Sequence, residues 1–225
     1  MKNNPDNHHR QSIRLKGYDY SRAGAYFITV CMQNRACLFG NVVDGKMILN
    51  NAGRMVQTVW DELPNRFYNI KLDEYVIMPN HIHGIISIVG APLVGAQTTV
   101  GTRITAGDLT ERAGTRPAPT GLGDIVGAFK SITTHEYIRD VKQHGWPPFA
   151  DKLWQRNYYE HIVRNDDELK RIREYIINNP MQWGFDRENP DRGLKTTRSA
   201  QAPGPTEIRE QFKPYGHVSG EGWMI

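Results

Sequence analysis

Two histidines, His81 and His83, stand two positions apart in the stretch MPNHIHGIISI, residues 78 to 88. Side chains alternate along a strand, so both imidazoles leave one side of the pleat while Ile82, Ile86 and Ile88 leave the other. Imidazole is the commonest metal ligand among side chains, and a pair so spaced can aim at a single ion. The same pair on an exposed strand can also bind nothing. A second polar pair lies far along the chain in ELKRIREYIINNP. There Tyr175 and Asn179 are one helical turn apart, so a phenol and a carboxamide emerge together. They offer a nucleophile and a ligand, or simply an amphipathic tyrosine at a core border and an asparagine at a helix end. Residue types alone leave both pairs open.

The elements that must position these groups can be read in order. Tyr26 to Met32 is apolar almost throughout, as a central strand covered on both faces would be. A strand at Cys37 to Val43 and another at Met47-Ile48-Leu49 flank Asp44-Gly45, a strong hairpin signal. Asn50 or Asn51 then caps a helix whose apolar residues Met55, Val56, Val59, Trp60 and Leu63 recur at three and four, with Pro64 as its stop. The histidine-bearing hairpin follows over residues 70 to 89, turning at Pro79-Asn80. Residues 90 to 122, rich in Gly, Thr, Ala and Pro, are expected to form a disordered insertion. From Asp124 a helix resumes with Ile125, Val126, Phe129, Ile132, Tyr137 and Ile138 on its apolar side. Asn165, with Glu168 three residues on, opens the last helix, and Asn179-Pro180 ends it. Leu169, Ile172 and Ile176 are its buried stripe. The order β-β-β-α-β-β followed by helices predicts an α+β fold with an antiparallel sheet. One domain over 1–185 is expected, with a polar tail at 186–225 in which only Trp223 suggests docking.

Composition narrows the functional classes. Of 225 residues, 39% are hydrophobic and 23% charged, enough for a core and against a membrane protein. Apolar runs fall short of the roughly 20 residues that span a bilayer, and the first residues lack a signal-peptide core. A cytoplasmic protein with no membrane partner is expected. Cys31 and Cys37 alone indicate neither a disulfide framework nor a cysteine zinc site. The net charge is +4, and residues 1 to 72 hold ten Lys or Arg against five Asp or Glu. That excess suits an anionic partner or plain solvated surface.

Taken together, RLKGYDY, GAYFITVC, LFG, DEYVIMPNHIHGIISI, WQRNYYEHIVRN and ELKRIREYIINNP resemble the REP-associated tyrosine transposases. These are single-tyrosine enzymes of the His-hydrophobic-His (HUH) superfamily. The resemblance covers roughly residues 12 to 89 and 123 to 185, and the ordered series is far more specific than any single motif. It implies a ferredoxin-like antiparallel sheet flanked by helices, cutting and rejoining single-stranded DNA at hairpins such as REP-like repeats. It also implies a divalent metal, Mg²⁺ or Mn²⁺, held by His81 and His83, with Tyr175 as nucleophile. Better-described insertion-sequence relatives carry a glutamine ligand four residues after the tyrosine, where this chain has the shorter Asn179.

The chemistry fits these groups. A divalent ion would polarise the scissile phosphate and stabilise transition-state charge. The phenol, with a reference pKa of about 10, needs a base or nearby cations to attack. A 5′-phosphotyrosine would conserve the bond energy, so rejoining needs no nucleotide cofactor. Arg14, Lys16, Lys130, Arg156 and Arg164 are candidates for phosphate contacts, and Trp154 and Tyr158 for base stacking. His161 would orient a phosphate or pack. Tyr158 and Tyr159 are rival nucleophiles on opposite faces of an extended segment. An amidohydrolase barrel would want the histidine pair early in a longer chain, and a cupin a Glu and a further His after it. The remaining alternative is a hairpin-DNA-binding structural or regulatory protein that does not transpose. The resemblance leaves open monomer or dimer.

Overall fold

The structure, a computed structural model, describes residues 17–89 and 121–192. Arg14, Lys16, nearly all of the expected insertion and Trp223 lie outside the described residues. The chain opens with strand β1 (Gly24–Cys31), then the hairpin β2 (Gly40–Val43) and β3 (Lys46–Leu49). Helix α1 (Asn51–Asp61) and the single turn α2 (Leu63–Arg66) lead to β4 (Ile70–Ile77) and β5 (His81–Ile88). Helix α3 (Leu122–His144), β6 (Tyr159–Val163), α4 (Asp166–Asn178) and a 3-10 turn over Pro180–Phe185 complete it.

The main sheet has the order β4-β5-β1-β6, with every neighbouring pair antiparallel. Leaving aside the separate β2–β3 hairpin, the winding is β-α-β-β-α-β, the ferredoxin-like arrangement. The α+β expectation therefore holds in class and in topology. At the hairpin turn Asp44 and Gly45 both have positive φ, 49° and 72°, as the tightest turns that match strand twist require.

Alternation divides the sheet into two faces. Tyr26, Ile28, Val30, Ile82 and Ile86 are buried on one, with Val56 and Trp60 of α1 and Ile125, Phe129 and Tyr137 of α3. Phe27 and Ile85 face the other way, against Ile172 and Ile176 of α4. Each such fully buried aliphatic side chain contributes on the order of 1.5–3 kcal/mol. Gly84 is required by the first face. A Cβ there would lie 2.4 Å from the Trp60 ring, so only glycine lets α1 close on the strand that carries the histidines.

Several local expectations change. Asn50 is the cap of α1, accepting from the Gly53 N–H at 2.9 Å, but Pro64 starts α2 instead of ending a helix. Helix α3 begins at Leu122, ahead of Asp124. Ile138 of that helix is 40% exposed, not on the buried stripe. Trp154 is not available for base stacking. It is 4% exposed, its ring packs on Phe39 and Phe129, and its indole N–H donates to the Thr133 hydroxyl at 2.9 Å. Packing continues beyond residue 185, with Asp186, Glu188 and Asn189 buried. Among the described residues no helix is long and apolar enough to cross a membrane.

Candidate active site

The His81 and His83 rings sit at the start of β5 on the face covered by α4. Both are buried, and their Nε2 atoms are 3.0 Å apart. Cross-strand register sets what lies beside them. His81 is opposite Cys31, and His83 is opposite Thr29, which is in turn opposite Tyr159 on β6. The Thr29 hydroxyl lies 2.8 Å from His83 Nδ1, and Phe27 stacks on the His83 ring at 5.6 Å.

Asn80 fixes the second ring. Its Nδ2 donates to the Arg35 carbonyl at 3.0 Å and to the Glu188 carbonyl at 2.7 Å. The carboxamide therefore has one orientation, with Oδ1 facing His81 Nδ1 at 2.9 Å. An acceptor there calls for the Nδ1–H tautomer, which leaves a lone pair on Nε2. Thr29 can donate or accept, so His83 can adopt either tautomer. With the proton on His83 Nε2 the two rings share a hydrogen bond, and with it on Nδ1 two Nε2 lone pairs converge, as a metal ion would require.

Asp186 completes a group that can hold a metal. Its carboxylate lies 4.0 Å from His81 Nε2, and ligand atoms from His81, His83 and Asp186 all fall within 4.8 Å of one another. All three are buried. Asp186 is placed by the 3-10 turn after α4 and by the Glu188 N–H, which donates to its Oδ1 at 2.7 Å. Sequence reading missed it because it stands in a polar stretch without periodicity, and only its nearness to the Asn-Pro step marks it.

Tyr175 comes down from α4. Its hydroxyl is 3.3 Å from His83 Nε2, and its ring meets Phe27 edge-on at 6.0 Å. Asn179, one turn on, is 1% exposed, and both side-chain polar atoms are buried without a hydrogen-bond partner. An orphaned carboxamide at this helix end, two converging imidazoles and a buried carboxylate suit a divalent ion with mixed nitrogen and oxygen ligands. Trp183 adds a ring 6.0 Å from His81, so the cluster is walled by aromatic groups.

The other candidates fall elsewhere. Tyr159 is on the site face, edge-on to Phe27 at 6.1 Å, while Tyr158 packs with the opposite core. His161 pairs with Glu168 at 2.9 Å. Burial raises the Glu168 carboxyl, but the Arg164 N–H and His161 outweigh it and hold the carboxyl below its usual range. Lys130 is not on an open face. Its ammonium donates to the Gln155 and Arg156 carbonyls at 2.5 and 3.1 Å, and burial lowers its pKa. The side chains of Arg156 and Arg164 are exposed.

No family model matches the chain. A Haemophilus influenzae protein described as uncharacterized is 40% identical over 179 residues, spanning 80% of this chain and 92% of its own length. Two solved structures are similar. One is a REP-associated tyrosine transposase bound to a REP hairpin, at TM-score 0.49 and 16% identity, over 77% of this chain and 76% of that one. The other is a Deinococcus radiodurans protein to which a transposase role is ascribed, at TM-score 0.39 and 13% identity, over 73% and 95%.

Proposed function

The chain belongs to one family with the Haemophilus influenzae protein, and from the site it carries we propose a metal-dependent transposase that cuts and rejoins single-stranded hairpin DNA. One observation carries the reading. The Tyr175 hydroxyl lies 3.3 Å from His83 Nε2, itself 3.0 Å from His81 Nε2. A nucleophile thus stands beside a pair of converging ligands. The ordered motifs, from RLKGYDY to ELKRIREYIINNP, supply the substrate class.

His81, His83 and Asp186 would hold the ion, with the Asn179 carboxamide as a further oxygen donor. When bound, a divalent ion there polarises the phosphate and stabilises the charge that develops in the transition state. The Tyr175 oxygen attacks phosphorus, the bond to the 3′ oxygen breaks, and a 5′-phosphotyrosine and a 3′-hydroxyl result. The phenol proton passes to solvent and the leaving oxygen takes one up, so no net proton or nucleotide is consumed. Reversal by a second 3′-hydroxyl rejoins strands. Phe27 holds the Tyr175 and His83 rings in place, and the exposed Arg156 and Arg164 can meet backbone phosphates.

A protein that only binds hairpins would have no use for a phenol aimed at two converging imidazoles. The test is direct. Incubated with single-stranded hairpins from its own genome and Mn²⁺ or Mg²⁺, the protein should form a denaturant-resistant adduct, and EDTA should abolish it. Binding with no metal-dependent cleavage under any divalent ion would favour the binder.

A further inference from the structure

A cavity outside the histidine cluster lies between α3 and the segment that leads to β6. Its volume is about 500 Å³, the size of a small-ligand site. Two of its apolar walls are open to water. Ile138 is 40% exposed on a helix whose other large apolar side chains mostly turn inward, and Phe149 is half-buried with its ring held edge-on by Tyr137 at 5.6 Å. Trp154 backs the cavity. The charged groups lining it are Lys130, Lys152 and Arg156 against Asp151, with His135 beside them. Lys152 is 3.9 Å from Asp151 and the Lys130 ammonium is engaged by two carbonyls, so Arg156 presents the exposed positive charge. Apolar walls with a cationic rim suit an amphipathic anion, a flat ring joined to a phosphate.

The cavity is also joined to the catalytic strand. The Gln155 N–H donates to the Cys31 carbonyl at 2.9 Å, and Cys31 is opposite His81 in the β1–β5 register. The wall containing Gln155 and Arg156 is therefore two strand spacings, about 10 Å, from the strand that bears the histidines. The Lys130 ammonium, bound to the carbonyls of Gln155 and Arg156, keeps that wall in place.

We propose that this cavity binds one unstacked nucleotide of the single-stranded DNA flanking the hairpin, its base between Phe149 and Ile138 and its phosphate at Arg156. The proposal rests on the DNA-processing reading above. The cavity has room for a single base, and an unstacked base seated there would distinguish flank from hairpin and set where the strand enters the site. Stacking with cationic neighbours is how single strands are held without base pairing.

Binding is measured in EDTA, where no cleavage intervenes, with one hairpin carrying a single-stranded flank and the same hairpin without it. The flank should tighten binding about tenfold, the order contributed by one stacked base. Ser131→Tyr, which fills the cavity from the exposed side of α3, and Arg156→Gln should each erase that increment. For Ser131→Tyr, affinity for the flankless hairpin and the thermal midpoint should stay as in wild type. A 5-iododeoxyuridine in the flank should crosslink to the peptide containing Phe149. No increment in the wild type, its survival in both variants, or a crosslink elsewhere would overturn the assignment. Adduct formation with Mn²⁺ is scored separately on the same oligonucleotides. Its absence beside an intact flank increment would count against the catalytic reading and leave the cavity assigned.

Discussion

Asn80 acts on His81 through one atom. Because its Nδ2 is committed to two carbonyls, its Oδ1 must accept from His81 Nδ1, and the lone pair of His81 Nε2 is left for a cation. Asn80→Ala should therefore weaken Mn²⁺ binding by about 10–100-fold, the usual effect of losing a partner of a metal-bound histidine. Asp186→Asn should weaken it too, since a carboxylate charge is lost from the ligand set. Calorimetric titration with Mn²⁺ reads both, and an unchanged affinity in Asn80→Ala would contradict the tautomer argument. At this scale the sequence was partly legible. Alternation on β5 placed His81 and His83 on one face, because the side-chain period of a strand is fixed. Asp186 was hidden because it reaches His81 through a 3-10 turn and a contact between distant segments, for which no local pattern exists. Trp154 misled for a related reason. Basic and aromatic neighbours suggested an open stacking platform, while burial and the bond to Thr133 put its ring in the core.

Helix α4 carries Tyr175 and must be held at a fixed height over the sheet. Ile172 and Ile176 supply the packing, and Arg173 supplies a clamp. Its Nε and Nη2 donate to the two carboxylate oxygens of Asp73 at 2.7 and 2.6 Å. Asp73 is where it is because β4 is irregular between Leu72 and Tyr75. The Arg173 guanidinium holds the Asp73 carboxyl below its usual range, against a smaller opposing effect of burial. A depressed carboxyl contributes stability that is present above its unfolded value of about 3.9 and is lost as pH falls through the folded value. Asp73→Asn should accordingly cost about 1 kcal/mol at neutral pH, the upper range for a partly exposed pair. The difference from wild type should shrink below about pH 4. Urea unfolding at several pH values checks this, and a gap that persists undiminished in acid would contradict the clamp. The helix itself was readable from its cap and its 3.6-residue stripe. The clamp was not, since the partners are a hundred positions apart.

Across the whole molecule, the ferredoxin-like core accepts additions at its connections. The β2–β3 hairpin is inserted between β1 and α1, and residues 90–120 fall between β5 and α3. Connections of this kind are ordinarily about 2–6 residues long. Replacing 92–120 with a short Gly-Ser linker, and keeping Gly121 as the cap of α3, should leave the thermal midpoint within a few degrees, because loop-closure entropy changes slowly with length. A collapse of the midpoint would show that the stretch packs on the core. The order of elements was legible because caps, turns and periodicity agree along most of the chain. Arg14 and Lys16, the earliest of the basic candidates, lie outside the described residues. The proposed function requires these elements to bring one phenol to a phosphate. Tyr175→Phe removes one oxygen and keeps the ring against Phe27, so hairpin binding should survive. Peptide mapping of the covalent adduct formed by the wild type with Mn²⁺ should place the nucleotide on Tyr175, and Tyr175→Phe should form none. A nucleotide on Tyr158 or Tyr159, or an undiminished adduct in Tyr175→Phe, would contradict it.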